Sequence, residues 1–172
     1  MAAALFSRLG LVTGEHAPED VSVVSAGLLE GGYASPREVI TTMAEYGIDL
    51  SAHRSREVTA ADVESADLVI VMERAHLREL GSLSPLALSR TLTMREAVRR
   101  AGEAGGRPAG ASIGDWAAAL TSTRRAAELA GLSRADDTPD PMGRKPAAYE
   151  AAAAELARLV GDVASLLWPA GR

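Results

Sequence analysis

In the run Asp136-Asp137-Thr138-Pro139-Asp140-Pro141-Met142-Gly143, one carboxylate, Asp140, stands between two prolines with a glycine close by. Proline fixes φ and glycine frees it, so such a run makes a stiff, exposed turn that can aim a side chain into a pocket. The chemistry open to a carboxyl group held in this way is proton transfer to or from a reacting atom. Aspartate and proline also build turns with no such role, and the local sequence leaves both readings open. Three aspartates could also hold a hard cation, but their spacing is not that of a calcium loop, and no metal site is expected.

A second polar cluster, Ser51-Ala52-His53-Arg54-Ser55-Arg56, reads either as a cationic edge beside a phosphate or as a solvated turn leading into the next element. His76 follows an apolar strand, where α/β domains place ligand-facing residues, although a helical histidine is more often a capping or surface group. His16, in Gly14-Glu15-His16-Ala17, carries nothing specific. No glycine-rich phosphate loop, GxSxG elbow or HExxH helix occurs. None of the 172 residues is cysteine, which removes disulfides, thiolate metal sites and a thiol nucleophile.

Residues 20–27 (DVSVVSAG) read as a short strand running into a loop, and 67–72 (DLVIVM) as a strand buried on both faces. Between them Ser35 can cap and Pro36 can open a helix carrying Val39, Ile40, Met43 and Tyr46 at helical spacing, with Gly47 stopping it. A short capped helix over 59–66 and another over 73–80 follow. Beyond these the pattern predicts a strand at 88–94, a helix at 95–102, a Gly-rich loop without core residues at 102–112 and a helix over about 115–129. A long amphipathic helix from Pro146, with Tyr149, Ala152, Leu156, Val160, Val163 and Leu167 on one stripe, closes the chain and should pack on the sheet. Alternation of this kind indicates an α/β domain with a parallel sheet. Two clear core strands are too few for one, and the helix at 2–10 should itself follow a strand.

With 47% apolar residues the chain is long enough for one ordinary globular domain. Its net charge of −5, from 18 basic and 23 acidic residues, leaves no basic stripe, so no nucleic-acid partner is expected. No apolar run approaches the roughly 18 residues that span a bilayer, and the start lacks a signal-peptide pattern, so a cytoplasmic protein without membrane association is expected.

The succession MAAALF, VVSAG, AEYGIDLSAHRSR, ADLVIVMERAHLREL, DTPDPMG and AAYEAAAAEL resembles the low-molecular-weight protein tyrosine phosphatases over residues 1–100 and 136–168. The resemblance implies a doubly wound parallel sheet with helices on both faces. Its first, central strand ends in a phosphate-binding loop, Cys-x5-Arg-Ser-Pro, and Met1 matches the residue just after that Ser-Pro. Here the central strand and the loop are missing. The chain is therefore expected to be a single phosphatase-like domain, N-terminally truncated, with an insertion at 101–135.

The family's reaction, as the resemblance implies it, is hydrolysis of a phosphomonoester such as phosphotyrosine through a phosphocysteine. A phosphate sits on backbone N–H groups at a helix N-terminus, and an arginine and the helix dipole sustain the thiolate. The acid that protonates the leaving oxygen is the aspartate of the Asp-Pro motif, which falls on Asp140. Met142 takes the position where the family usually has an aromatic lining the substrate slot. That departure leaves phosphoarginine, or a phosphomonoester other than phosphotyrosine, open as substrate. The stretch Ser25-Ala26-Gly27 with Leu28, Leu29 and Tyr33 matches the opposite wall. No cofactor is implied; the partner is a phosphorylated protein or a small phosphomonoester, with the oligomeric state left open.

Without cysteine the chain supports neither this reaction nor the thiol relay of the related arsenate reductases. The expectation is an inactive truncated phosphatase. A non-catalytic binding or regulatory module of the same fold is the alternative, and an unrelated helical interaction protein a remoter one.

Overall fold

The computed structural model describes residues 1–10, 21–129 and 134–169. The chain divides into two compact units, the first made of Met1–Glu57 with Pro139–Ala164, the second of Val58–Thr138 with Ser165–Arg172.

In the first unit, α1 (Ala2–Leu5) runs into a π-type turn at Phe6–Gly10, so the helix expected at 2–10 is present with a widened second half. Helix α2 (Arg37–Glu45) starts one residue later than expected: Pro36, at φ −54° and ψ 148°, takes the cap position in place of Ser35, and no side chain caps the helix; Gly47, at φ +68°, lets the chain leave it in a conformation that other residues disfavour. Residues 21–27, the described part of the strand expected at 20–27, form no strand. Among the described residues there, pairing is limited to a single bridge between Gly27 and Glu57, and Val24 is exposed. Alternation of Val21 and Val23 with Ser22 and Val24 supplies strand propensity, but one bridge gives no ladder to hold a strand.

In the second unit, Thr59 caps α3 (Ala60–Ser65) through a reciprocal box with Asp62. Strand β1 (Val69–Val71) leads into α4 (Arg74–Leu83). Only Val71 of β1 is fully buried, so the strand is less enclosed than its apolar run suggests. The strand expected over 88–94 is shorter: Pro85 opens a 3₁₀ turn through Arg90, closed by the Thr91 hydroxyl donating to the Ala87 carbonyl at 2.7 Å, and β2 is Thr91–Thr93. β1 and β2 are parallel, with Val69, Ile70 and Val71 opposite Thr91, Leu92 and Thr93. The buried threonines of β2 are satisfied, since Thr93 accepts the Glu96 N–H and caps α5 (Met94–Ala104) with a second box.

The single helix expected over 115–129 is two, α6 (Ile113–Thr121) and α7 (Ala126–Leu129). The hydroxyls of Thr121 and Ser122 donate to the Ala118 and Ala119 carbonyls that a continuing helix would need, and the chain turns so that Arg124 donates to Thr91 O at 2.8 Å. The Gly-rich loop before α6 is not free of core residues either: Gly106 is buried, and a Cβ there would lie 3.1 Å from the Leu166 carbonyl. Val71, Leu77, Leu80, Leu92, Met94 and Ala97 are among the buried apolar residues of this unit, and α4, α5 and α6 all contact β2.

The last helix, α8 (Pro146–Leu167), has its first nineteen residues in the first unit and its final turn in the second. Tyr149, Ala152, Leu156, Val160, Val163 and Leu167, the expected stripe, are all buried. No helix among the described residues is long and apolar enough to cross a membrane.

Candidate active site

The three aspartates of the 136–143 run have separate fates. Asp136 is buried, with its carboxylate taking Arg99 at 3.0 Å and Arg74 in a short ion pair. Asp137 accepts the backbone N–H of Arg74, the first residue of α4, at 2.9 Å, and Thr138 donates its own N–H to the Met72 carbonyl at 2.8 Å. These residues tie the incoming chain to the end of β1 and the start of α4.

Asp140 differs, because its carboxyl is exposed and its bond is local: Oδ1 accepts the Met142 N–H at 2.9 Å. That bond closes a turn over Pro141, and the Arg144 N–H donates to the Pro141 carbonyl at 3.0 Å. Gly143, at φ +72°, donates its N–H to the phenolic oxygen of Tyr149 at 3.2 Å, and Tyr149 is buried in the first turns of α8. The turn is thus fastened to the helix that follows while its carboxyl faces solvent. An exposed carboxyl group on a fixed turn is chemically suited to exchange a proton with a ligand. Beside it Met142 is 61% exposed, an apolar side chain with no core to fill.

The stretch expected to form the opposite wall is stitched along its length to residues 54–57. Gly27 N–H donates to Arg56 O at 2.9 Å, Gly32 N–H to Ser55 O at 2.7 Å, and Ser55 N–H to Tyr33 O at 2.8 Å. Gly31 has no room for a side chain, since a Cβ would lie 2.7 Å from the Arg56 Cα. This lattice leaves Leu29 82% and Tyr33 64% exposed. The 51–56 cluster therefore has a definite structural use as the partner of the wall. Arg54 turns its guanidinium onto the carbonyls of Ser51 and His53, and His53 is exposed.

His76 lies half-buried in the first turn of α4, and His16 falls outside the described residues.

Sequence reasoning did not find the buried ionic network of the second unit. Glu96 is wholly buried, with Arg100 at 2.8 Å, Arg124 at 3.0 Å and Arg74 at 3.9 Å. Arg100 reaches on to Glu128 at 2.7 Å. Burial raises the Asp136 pKa, but hydrogen bonds from Arg99 and Arg74 outweigh it and hold the group below its ordinary value. The reciprocal bond raises Arg99. In Glu128 the hydrogen bond from the Arg125 backbone N–H is the largest influence and lowers the pKa. The Glu96–Arg100 spacing of four and the Thr93–Glu96 box were the available signals.

A model of the family described as low molecular weight phosphotyrosine protein phosphatase matches residues 1–106. The probable low molecular weight protein-tyrosine-phosphatase EpsP of Ralstonia nicotianae is 41% identical over 66 residues, which are 38% of this chain and 46% of that protein. The same protein from Ralstonia solanacearum matches to the same extent, so the chain spans about half the length of the curated relatives it matches. Among solved structures, a low molecular weight protein tyrosine phosphatase from T. tengcongensis aligns with TM-score 0.66 and 26% identity over 94% of this chain and 86% of that one. The YwlE arginine phosphatase from Geobacillus stearothermophilus aligns with TM-score 0.65 and 22% identity, over 95% of this chain and 80% of that one. The fold they share with this chain is α/β with a parallel sheet, of which the described residues hold two strands.

Proposed function

Because the chain belongs to the low-molecular-weight phosphotyrosine protein phosphatases, we propose that it carries the general-acid part of a phosphomonoester hydrolase, with Asp140 as the acid. The observation that carries this reading is the exposed Asp140 carboxyl on a turn fastened to α8 through Gly143 and Tyr149. In the reaction, a thiolate attacks phosphorus and Asp140 gives its proton to the leaving oxygen. The resulting carboxylate then takes a proton from the water that hydrolyses the phosphocysteine. Met142, with Leu29 and Tyr33, supplies apolar surface for the organic part of the substrate. The substrate is a phosphomonoester, phosphotyrosine in a protein or a smaller molecule.

None of the 172 residues can supply the thiolate. The 172 residues by themselves should give no turnover, because the family reaction needs a thiolate that none of them holds. The same lack of cysteine favours a second reading, a phosphatase-like module that binds without catalysis. We take the chain as one phosphatase domain of the cytoplasm in which 101–135 is an insertion. The end of the family match at residue 106, before α6 and α7, supports that view.

The test is hydrolysis of p-nitrophenyl phosphate by the chain alone and by the chain fused at Met1 to a strand and Cys-x5-Arg-Ser-Pro loop. The chain alone should give background, the fusion turnover. In the fusion Asp140→Asn should lower kcat by about 10²–10⁴, with a larger loss on phenyl phosphate, whose leaving oxygen needs the proton more. Turnover by the unfused chain would sink the proposal. A folded fusion with no turnover would favour the binding module.

A further inference from the structure

A cavity of about 360 Å³ in the second unit is lined by three arginines, Arg74, Arg99 and Arg125, and two carboxylates, Glu128 and Asp136. The lining charge is therefore net positive. Its hydrogen-bonding balance is more uneven, since each guanidinium has five N–H donors and no acceptor.

The carboxylates are already engaged. Asp136 Oδ2 takes both Arg74 and Arg99, and Glu128 takes the Arg100 guanidinium on Oε1 at 2.7 Å and the Arg125 backbone N–H on Oε2 at 2.8 Å. Donors remain over. Arg74 is 3% exposed and its Nε is buried without a hydrogen-bond partner. Arg99 spends Nε and Nη2 on Asp136, while its Nη1 stands 4.0 Å from an exposed Glu103. The Arg125 guanidinium forms no ion pair or hydrogen bond among the described residues.

Accessible guanidinium donors left unspent on Arg99 and Arg125 match a tetrahedral oxyanion, which takes them in short, charge-assisted bonds. We infer that this cavity is an oxyanion site that takes inorganic phosphate, with Arg99 and Arg125 as its donors and the buried Arg74 adding positive charge beside them. The site uses neither Asp140 nor Met142. Binding there is read without any hydrolysis, so its failure would leave the proposed reaction standing.

The test is titration of the 172-residue chain with sodium phosphate, ionic strength being held constant with chloride. Binding is followed by calorimetry and by the arginine Nε–H resonances. Saturable binding is expected, with the Arg99 and Arg125 resonances shifting. Arg125→Ala and Arg99→Ala should each weaken it about tenfold, the scale of one charged hydrogen bond. Arg125→Lys should fall between Arg125→Ala and the parent, because it keeps the charge and loses the fork. Arg158→Ala, at an exposed arginine paired with Asp162, should bind as the parent does. Circular dichroism on each variant confirms the fold; Arg125 is exposed and Arg99 is 42% exposed, so neither truncation opens the core. Absence of saturation overturns the inference. So does an equal loss in Arg158→Ala, or unchanged affinity in both Arg99→Ala and Arg125→Ala.

Discussion

Burial and arginine act on Asp136 in opposite directions, and the arginines win, leaving the carboxyl with a depressed pKa in the folded protein. A depressed folded pKa means that the ionised form is the one folding favours. Its stabilisation is complete above the ordinary aspartate value of about 3.9 and vanishes as pH falls through the folded pKa. Glu128, lowered by the Arg125 N–H, acts with the same sign. Urea unfolding between pH 3 and 6 should therefore show stability falling below about pH 4, with a shallower decline in Asp136→Asn. At neutral pH, Asp136→Ala removes the nearer of the two carboxylates beside the buried Arg74 guanidinium, leaving Glu96 at 3.9 Å, and should cost about 3 kcal/mol, the scale for breaking a buried pair from one side. Equal urea midpoints for Asp136→Ala and the parent would contradict that assignment. Asp140, four residues on and exposed, should show no comparable loss of stability when changed to alanine. The same amino acid in one eight-residue run thus serves as an anchor at one position and as a candidate acid at another.

The elements owe their ends to particular side chains. Thr93 ends β2 and caps α5, so Thr93→Ala should cost about 1 kcal/mol of stability in thermal or urea unfolding. At Gly31 the obstacle is backbone rather than a movable side chain, and Gly31→Ala should lose roughly 1–3 kcal/mol as the 54–57 segment is pushed away. Tyr33 fluorescence would report that displacement. Elements built on local periodicity were legible in the sequence: every residue of the α8 stripe is buried, and α2, α3 and α4 lie where their spacing puts them, with a side-chain cap at α3 alone of the three. The turn around Asp140 was legible too, since proline and glycine act within a few residues. What escaped depends on distant partners. The break between α6 and α7 follows from hydroxyls competing for carbonyls and from Arg124 turning to Glu96, 28 residues away. Val21–Val24 have strand propensity without the ladder that makes a strand, and the use of Arg54–Glu57 as a splint for the wall is invisible until Gly27–Tyr33 is placed beside them.

At the scale of the molecule, the chain passes from the first unit to the second after Glu57, returns at Pro139 and crosses again after Ala164. A chain ending at Thr138 should keep much of the second unit, because β1, β2 and the Glu96 network lie wholly within 58–138. In that fragment trypsin should cut after Arg37 and Arg54 well before Arg74, Arg100 or Arg124, as mass spectrometry of a time course would show. Early cleavage at all five would mean that the second unit also needs Ser165–Arg172, where Leu166 and Leu167 accept hydrogen bonds from Arg107. Interleaving of this kind sets an order of events at the ribosome. Leu5 and Met43 emerge early, yet the α8 residues of their own unit are made last. At roughly 5–20 residues per second, the first segment waits several seconds for them. During that interval its apolar side chains are exposed to every other nascent chain and chaperone within reach.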